Sequence, residues 1–407
     1  MCRSARETKC FATFVGEDAH TQVRGTAMIH HRTIIFHPAL APYRVDFFNS
    51  LSEAFDAEVY FEFSNPLEQS FDQQALQDRL RFKPHFLRPG FLGIKNLRIE
   101  VLSLLWRKRP ELVFVSEYNL LGLLVCLYKL LFHWRLRVIT ICDDNLRMAR
   151  QAGWRKRLYR YLLLHLMKGV ILADEQAYRW YQQQLSYKAL YHYFPIIQSD
   201  WDFRRRLEQA IPQAEEVATR LGLAGKKVIL YVGRLVAVKQ VSLLITAFQR
   251  LYPDCPEARL LIVGDGLLRE ELERQAEAER KAGRLFFVGK REGMRLLAYY
   301  DVAQIFVLPS LYEPFGTVVN EALLAGCYTL CSDVAGAACL ITSDRQGALF
   351  DPASPEQLAA RLTEALAKTP PLTHLTLKTN RMAIRYEERM ETLLDALAAM
   401  CKFAPLR

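Results

Sequence analysis

Nothing in this chain is spaced to hold a metal ion or a disulfide framework. Its nine cysteines, an odd number, are scattered from Cys2 to Cys401 without ligand spacing. Cys327 and Cys331 stand four apart, but across what reads as a loop-to-strand passage. That pattern excludes a zinc module or a cross-linked secreted scaffold, and it suits the reducing cytoplasm. Long apolar runs are missing as well. The longest, residues 120–128, stops at Lys129 and is about half of what a bilayer span needs. Residues 1–27 hold no apolar segment of a secretory leader. They are polar and patternless, and read as a disordered extension or a start site placed too early. Basic-aromatic repeats and zinc-finger spacing are absent too, which argues against nucleic acid as a partner.

What is present is globular. Hydrophobic residues make up 51% of the chain and charged ones 24%, a composition that folds rather than stays disordered. At 407 residues the chain exceeds one ordinary core and predicts two domains of about 150–200 residues each. The charge is one-sided: residues 1–200 carry 27 basic and 19 acidic side chains, the remainder 27 and 25. Simple solubility accounts for a net charge of +10. Its concentration in the first half also fits an anionic partner there, such as a membrane surface or an acidic acceptor.

From residue 33 onward, short β-branched runs alternate with helical stretches, the mark of a parallel α/β sheet wound on both faces. The rhythm breaks at 193–202, passes through a charged helix at 203–221, and restarts at Lys227. The reading is two Rossmann-like parallel-sheet domains facing across a cleft. The first covers 28–198 and the second covers 199–375. A last helix within 376–407 packs back toward the first. Ligands of such sheets bind at the facing strand ends.

The most informative segment is 308–322, LPSLYEPFGTVVNEA, which runs strand, tight loop, helix. Gly316 removes a side chain where the helix opens, so backbone N–H groups from Phe315 through Thr317 to Val318 can face a ligand. A helix start carries roughly half a positive charge and suits a phosphate. Glu321 lies one turn inside, with its Cα–Cβ bond tilted back toward that end, where it can accept from vicinal ribose hydroxyls. Glu313, on the loop, can do the same for a sugar ring. Taken singly, either acid also reads as a helix-dipole or solvated loop residue. Gly264-Asp265-Gly266 follows a strand, but without a third glycine it is a weak dinucleotide signature and reads better as a sharp turn against the cleft.

Taken together, the two acids are more specific. Glu313 and Glu321, with seven residues between them, resemble the E-x7-E signature of retaining GT-B glycosyltransferases, in particular the GT4 family. YVGRL at 231–235 with Lys239, IVGDG at 262–266, VLPS at 307–310, and the EA…AG at 321–326 are similar to that family's motifs in order and spacing. The resemblance is dense over 228–352 and loose before it. It implies transfer of a sugar from a nucleotide-sugar donor to a hydroxyl acceptor, with retained anomeric configuration, no metal and no other cofactor. No Asp-x-Asp stands between the strands of the donor half. The resemblance places Gly233, Arg234, Lys239, Glu313, Phe315, Gly316, Thr317, Val318 and Glu321 at the donor. Arg234, Lys239 and Glu313 are the catalytic set. Two fixed cations after the first strand of the second sheet suit the negative charge that grows on a departing β-phosphate. Gln240 departs from the glycine usual after the lysine, which predicts a looser turn.

On the acceptor side the candidates are Tyr43, Arg44, Glu117, Asn119, Asp143 and Asp144, all at strand ends facing the cleft. Arg44 reads equally as an acceptor-phosphate contact or a structural residue. Asp143 and Asp144 read as groups that orient or deprotonate a hydroxyl, or as caps of the helix that follows. A histidine common in the family near Cys142 is absent. The acceptor is expected to be a saccharide or lipid-linked carrier, in bacterial surface polysaccharide or glycolipid assembly. The helix at 120–134 is apolar nearly all round, which predicts burial against the sheet. The Arg/Lys-rich stretches 98–109 and 147–168 read either as plain surface charge or as peripheral contact with an anionic inner leaflet. A catalytically inactive sugar-nucleotide-binding partner and a GT-B epimerase are the competing readings.

Overall fold

The computed structural model describes residues 32–65, 71–91, 94, 97–185, 188–251 and 254–401. The expected extension at 1–27 lies outside the described residues. Strands buried at every position, such as β1 (Thr33–His37) and β4 (Leu112–Ser116), are what a parallel sheet covered on both faces requires. Around them lie β2 (Glu58–Phe61), β3 (His85–Phe86), β5 (Arg137–Cys142), β6 (Gly169–Leu172) and β7 (Leu190–Tyr193). Their order is β3-β2-β1-β4-β5-β6-β7, with every pairing parallel.

The second sheet repeats the plan. It contains β8 (Lys227–Val232), β9 (Ala258–Val263), β10 (Leu285–Gly289), β11 (Ile305–Leu308), β12 (Tyr328–Ser332) and β13 (Gly347–Phe350). The order is β10-β9-β8-β11-β12-β13, again wholly parallel. In each sheet the winding reverses once, between β1 and β4 and between β8 and β11. Loops leaving the carboxyl ends of such a strand pair diverge to opposite faces and leave a crevice. This is a GT-B architecture, two α/β domains with one crevice each.

The two layers share apolar packing. A single buried cluster includes Phe47 and Phe194 beside the first sheet, Phe203 and Leu207 of the connection, and Tyr299 and Tyr300 of the second unit. The helix Tyr386–Cys401 lies on the first unit, where the Tyr386 and Ser50 hydroxyls are 2.9 Å apart and the Phe194 and Tyr386 rings meet at 5.7 Å.

Several elements differ from expectation. The charged helix at 203–221 is two helices, Asp200–Gln209 and Ile211–Leu221, because Pro212 fits only the first turn of a new helix. The helical stretch after β9 is also in two pieces, Arg269–Gln275 and Glu277–Lys281. The helix Leu120–Phe132 is not buried all round. Leu127, Leu130, Leu131 and Phe132 are exposed, since the sheet covers only its inner face.

The glycines of IVGDG serve close packing. A Cβ built on Gly264 would stand 1.8 Å from the Gly233 carbonyl oxygen, and its φ of +148° strains any other residue. The amide of Leu235 donates to the Asp265 carbonyl at 2.9 Å, which binds the same two loops together. Gly264→Ala is therefore expected to cost about 1–3 kcal/mol, read as a melting temperature lower by roughly 2–4 °C per kcal/mol. An unchanged melting curve would contradict the packing described.

Candidate active site

The second unit's crevice is lined by the loops after β8 and β11. Their closest link is an ion pair between the Lys239 ammonium and Glu313 Oε2, with both side chains about seven-eighths shielded from solvent. Three features hold it. Lys239 ends a 3-10 turn whose cap, Gln240, adopts φ 52°, ψ 36° and donates its amide to the Ala237 carbonyl. The turn is therefore tight without glycine, contrary to expectation, at the usual small cost of placing a side chain in the left-handed region. Next, the Leu311 amide donates to the Val238 carbonyl at 2.9 Å, pinning loop to loop. Finally, Gly316 has φ 94°, and a Cβ there would lie 2.9 Å from Leu308 Cδ2 and 3.0 Å from Glu313 Cγ. Only glycine lets the chain turn and Glu313 lie across it.

Gly316 is the N-cap of the helix Thr317–Leu324, and no side chain caps it. Phe315 is buried, while Thr317 and Val318 are half-buried at the opening of that helix. Gly233 packs against Tyr231, whose hydroxyl donates to the Arg234 carbonyl at 2.9 Å. This fixes the backbone from which the exposed Arg234 side chain extends.

Glu321 stands apart from that group. Its Oε1 accepts from Gln198 Nε2 at 3.1 Å and its Oε2 from the Tyr300 hydroxyl at 2.9 Å. Desolvation raises its pKa against those two hydrogen bonds. Asn320 beside it accepts the Gln198 amide at 2.9 Å, so this helix grips the segment that joins the two units. Both Glu321 oxygens are thus occupied by protein donors.

The acceptor-side candidates fall into two groups. Arg44, buried in the 3-10 turn Pro42–Arg44, pairs with Asp143. Tyr43 adjoins both: burial, then the Asp143 charge, raises its phenol, with a smaller contribution from Glu313. Tyr43, Arg44 and Asp143 therefore lie on the side of the cleft that meets the Glu313 loop. Glu117 belongs with them. It holds a left-handed φ of 54°. Desolvation, then the charges of Asp143 and Asp144, push its carboxyl up to about 7. Because the residue is solvent-exposed, the neighbouring carboxylates are the firmer cause. Asp144 turns inward instead, accepting from Arg160 at 2.7 Å and from the Tyr181 hydroxyl at 2.6 Å. Asn119 caps the helix Leu120–Phe132 through the Gly122 amide and donates to Glu62 at 3.0 Å.

Neither Asp143 nor Asp144 caps the next helix. Asn145 does, accepting from the Met148 amide at 2.8 Å. Two contacts across the cleft escape sequence reasoning altogether. Asn145 Nδ2 reaches the Pro314 carbonyl at 3.4 Å, and the Arg147 guanidinium lies 5.6 Å from the Tyr312 ring centre. Their only sequence signal is polarity at a strand end.

Replacing Asp143 by Asn removes one of the charges that disfavour ionised Glu117 and frees Arg44 from its partner. Loss of the Asp143 charge favours the Glu117 carboxylate, so its titration should move to lower pH. Carboxyl-carbon NMR of the wild type and Asp143→Asn proteins reads this directly. A midpoint that stays put or rises would contradict the arrangement.

Part of the sequence and most of the fold are similar to known proteins. Residues 214–389 match the family model of glycosyl transferases group 1. An uncharacterized glycosyltransferase of Methanocaldococcus jannaschii is 34% identical over 134 residues, which are 33% of this chain and 34% of that protein. A glycogen synthase of Mycobacterium tuberculosis is 36% identical over 149 residues, 37% of this chain and 36% of its own. The matched stretch thus spans about a third of the length of these relatives. The crystal structure of Anabaena HepE in complex with UDP and glucose superposes over 91% of this chain and 100% of that one, with TM-score 0.68 at 16% identity. The likeness to glycosyl transferases group 1 thus lies in residues 214–389, and the likeness in fold to a GT-B structure runs over 91% of the chain.

Proposed function

We propose that the protein is a retaining glycosyltransferase, moving a sugar from a nucleotide-sugar donor to a hydroxyl of a saccharide or lipid-linked acceptor. The observation that carries this reading is the shielded Lys239–Glu313 pair at the β8/β11 crevice, next to an uncapped helix N-terminus. Donor phosphates suit the helix opening at Phe315–Val318, where free backbone N–H groups and the helix dipole favour negative charge. As the glycosidic bond breaks, charge grows on the β-phosphate. Arg234 and Lys239 stabilise that charge more than the ground state, which lowers the barrier. These cations take the place of a metal ion. Glu313, drawn off Lys239 by the donor, accepts from sugar hydroxyls. Glu321 accepts from the ribose once it gives up the Gln198 amide.

Departure and attack on one face of the sugar account for retention without a protein nucleophile, and none is assigned. Tyr43, Arg44, Glu117 and Asp143 face the donor loops from the other unit and are the groups an acceptor hydroxyl meets. The reaction class fits assembly of a bacterial surface polysaccharide or glycolipid.

The test begins with thermal shifts against UDP-, GDP- and ADP-sugars. A donor at a hundred times its Kd adds about 2.7 kcal/mol. Lys239→Ala should fold, and should lower kcat with the cognate donor on the order of a hundredfold or more. The anomeric proton coupling of the product should match that of the donor. A chain that no nucleotide sugar stabilises would favour an inactive role instead, and an inverted product would rule out retention.

A further inference from the structure

The helices Leu120–Phe132 and Trp154–Leu166 lie side by side on the first unit and present an outer face that none of the described residues covers. Leu131, Trp134 and Trp154 are more than 70% exposed, and Leu130, Phe132, Leu158 and Leu162 about half or more. Neighbouring Trp106, on the helix Glu100–Lys108, is 55% exposed and meets the Phe132 ring edge-on at 5.6 Å. A contiguous patch of this kind is far outside the scattered single apolar residues of an ordinary surface.

Its charge is as unusual as its apolarity. No acidic residue occurs from 118 to 142 or from 145 to 173. Over the same stretches stand Lys129, Arg135, Arg155, Lys156, Arg157 and Lys168, among others. Each exposed tryptophan carries its own arginine: Arg109 lies 5.9 Å from the Trp106 ring centre, Arg135 5.0 Å from Trp134, and Arg155 5.4 Å from Trp154. Indole rings with a guanidinium alongside place an apolar body and a cation at the same depth, as a lipid headgroup layer demands.

We propose that this face docks on an anionic phospholipid surface, with the two helices lying in the interface plane. The helix Leu120–Phe132 has 13 residues, about 20 Å, which is too short for a hydrocarbon core of about 30 Å. Among the described residues no helix is long and apolar enough to cross, so the contact is peripheral. A second copy of the chain fits less well, because a two-fold contact would set this basic face against itself. Leu120 and Trp154 begin their helices at the carboxyl-end side of the sheet, where the cleft opens. Docking therefore puts the cleft rim beside the bilayer and, on the reading of the cleft given above, favours acceptors anchored in it.

The experiment is flotation of the full chain with phosphatidylcholine vesicles, with and without about 30 mol% phosphatidylglycerol to supply the anionic surface. Binding to the anionic vesicles should exceed binding to the neutral ones at least about tenfold, and it should fall steeply with salt. The variant Leu131→Ser/Trp134→Ser/Trp154→Ser should lose about tenfold or more while keeping its nucleotide-sugar thermal shift. Arg155→Glu/Arg157→Glu should lose the preference for anionic lipid. Equal binding to both vesicles, no binding to either, or undiminished binding by the triple variant would overturn the proposal. So would a concentration-dependent dimer that the triple variant abolishes, since the face would then be a contact between copies. Flotation needs no turnover, so its failure leaves the transferase reading standing.

Discussion

The ion pair between Lys239 and Glu313 is the contact around which the second crevice is built. Each charge is largely shielded, and a shielded pair repays its desolvation only when geometry is tightly held. The surrounding chain supplies that geometry through features that are costly elsewhere. Gln240 sits in a left-handed conformation, Gly316 gives up its side chain, and Gly264 and Gly233 bring two loops into direct backbone contact. None of these improves a core. Each aligns a loop with its neighbour, so the strain sits where the loops meet and the sheets beneath remain regular.

The fold was legible because its signals are dense. β1, β4, β5, β8, β9 and β11 are short, β-branched and buried, and a parallel sheet follows from such runs alternating with helices. What escaped was local. β3 has two residues, and β7 is the polar run Leu190–Tyr193, half-exposed at the sheet's edge. Edge strands lack the buried run that marks a central one. The site divides the same way. The loops of the second unit bear a distinctive spacing, so Lys239, Glu313 and Gly316 could be placed together from sequence. Which of Asp143 and Asp144 turns outward depends on Arg44 and Arg160, residues far off in the chain. No spacing rule encodes that.

The helix Leu120–Phe132 shows how periodicity misleads at high apolar content. A helix apolar on every side has no moment to read, and burial is the natural inference. Its inner residues Leu121, Val125 and Cys126 are indeed buried. The outer ones are equally apolar because, on the docking proposed here, a lipid surface covers them. The one-sided charge of the first half belongs to the same surface, so composition carried a trace of it that periodicity did not.

The two units are joined unequally at the two ends of the cleft, and this decides where it can give way. At the joining segment, Gln198 is held by Asn320 and Glu321 of the second unit. The Ser199 amide donates to Asp46 of the first at 2.9 Å. Arg79 lies within 4 Å of both Asp46 and Asp202, bridging the units with buried or half-buried charge. Away from that segment, the contacts include a long hydrogen bond, Asn145 to Pro314, a cation over a ring, Arg147 on Tyr312, and an exposed hydrogen bond from the Asp72 amide to Glu292 at 3.2 Å. Contacts of the rim type are worth about 1 kcal/mol or less each, whereas breaking a charge network that has been taken from water costs several. The joining segment is therefore held more firmly than the rim. On the function proposed above, Glu321, which would accept from a donor ribose, is also one of the residues that hold the joining segment.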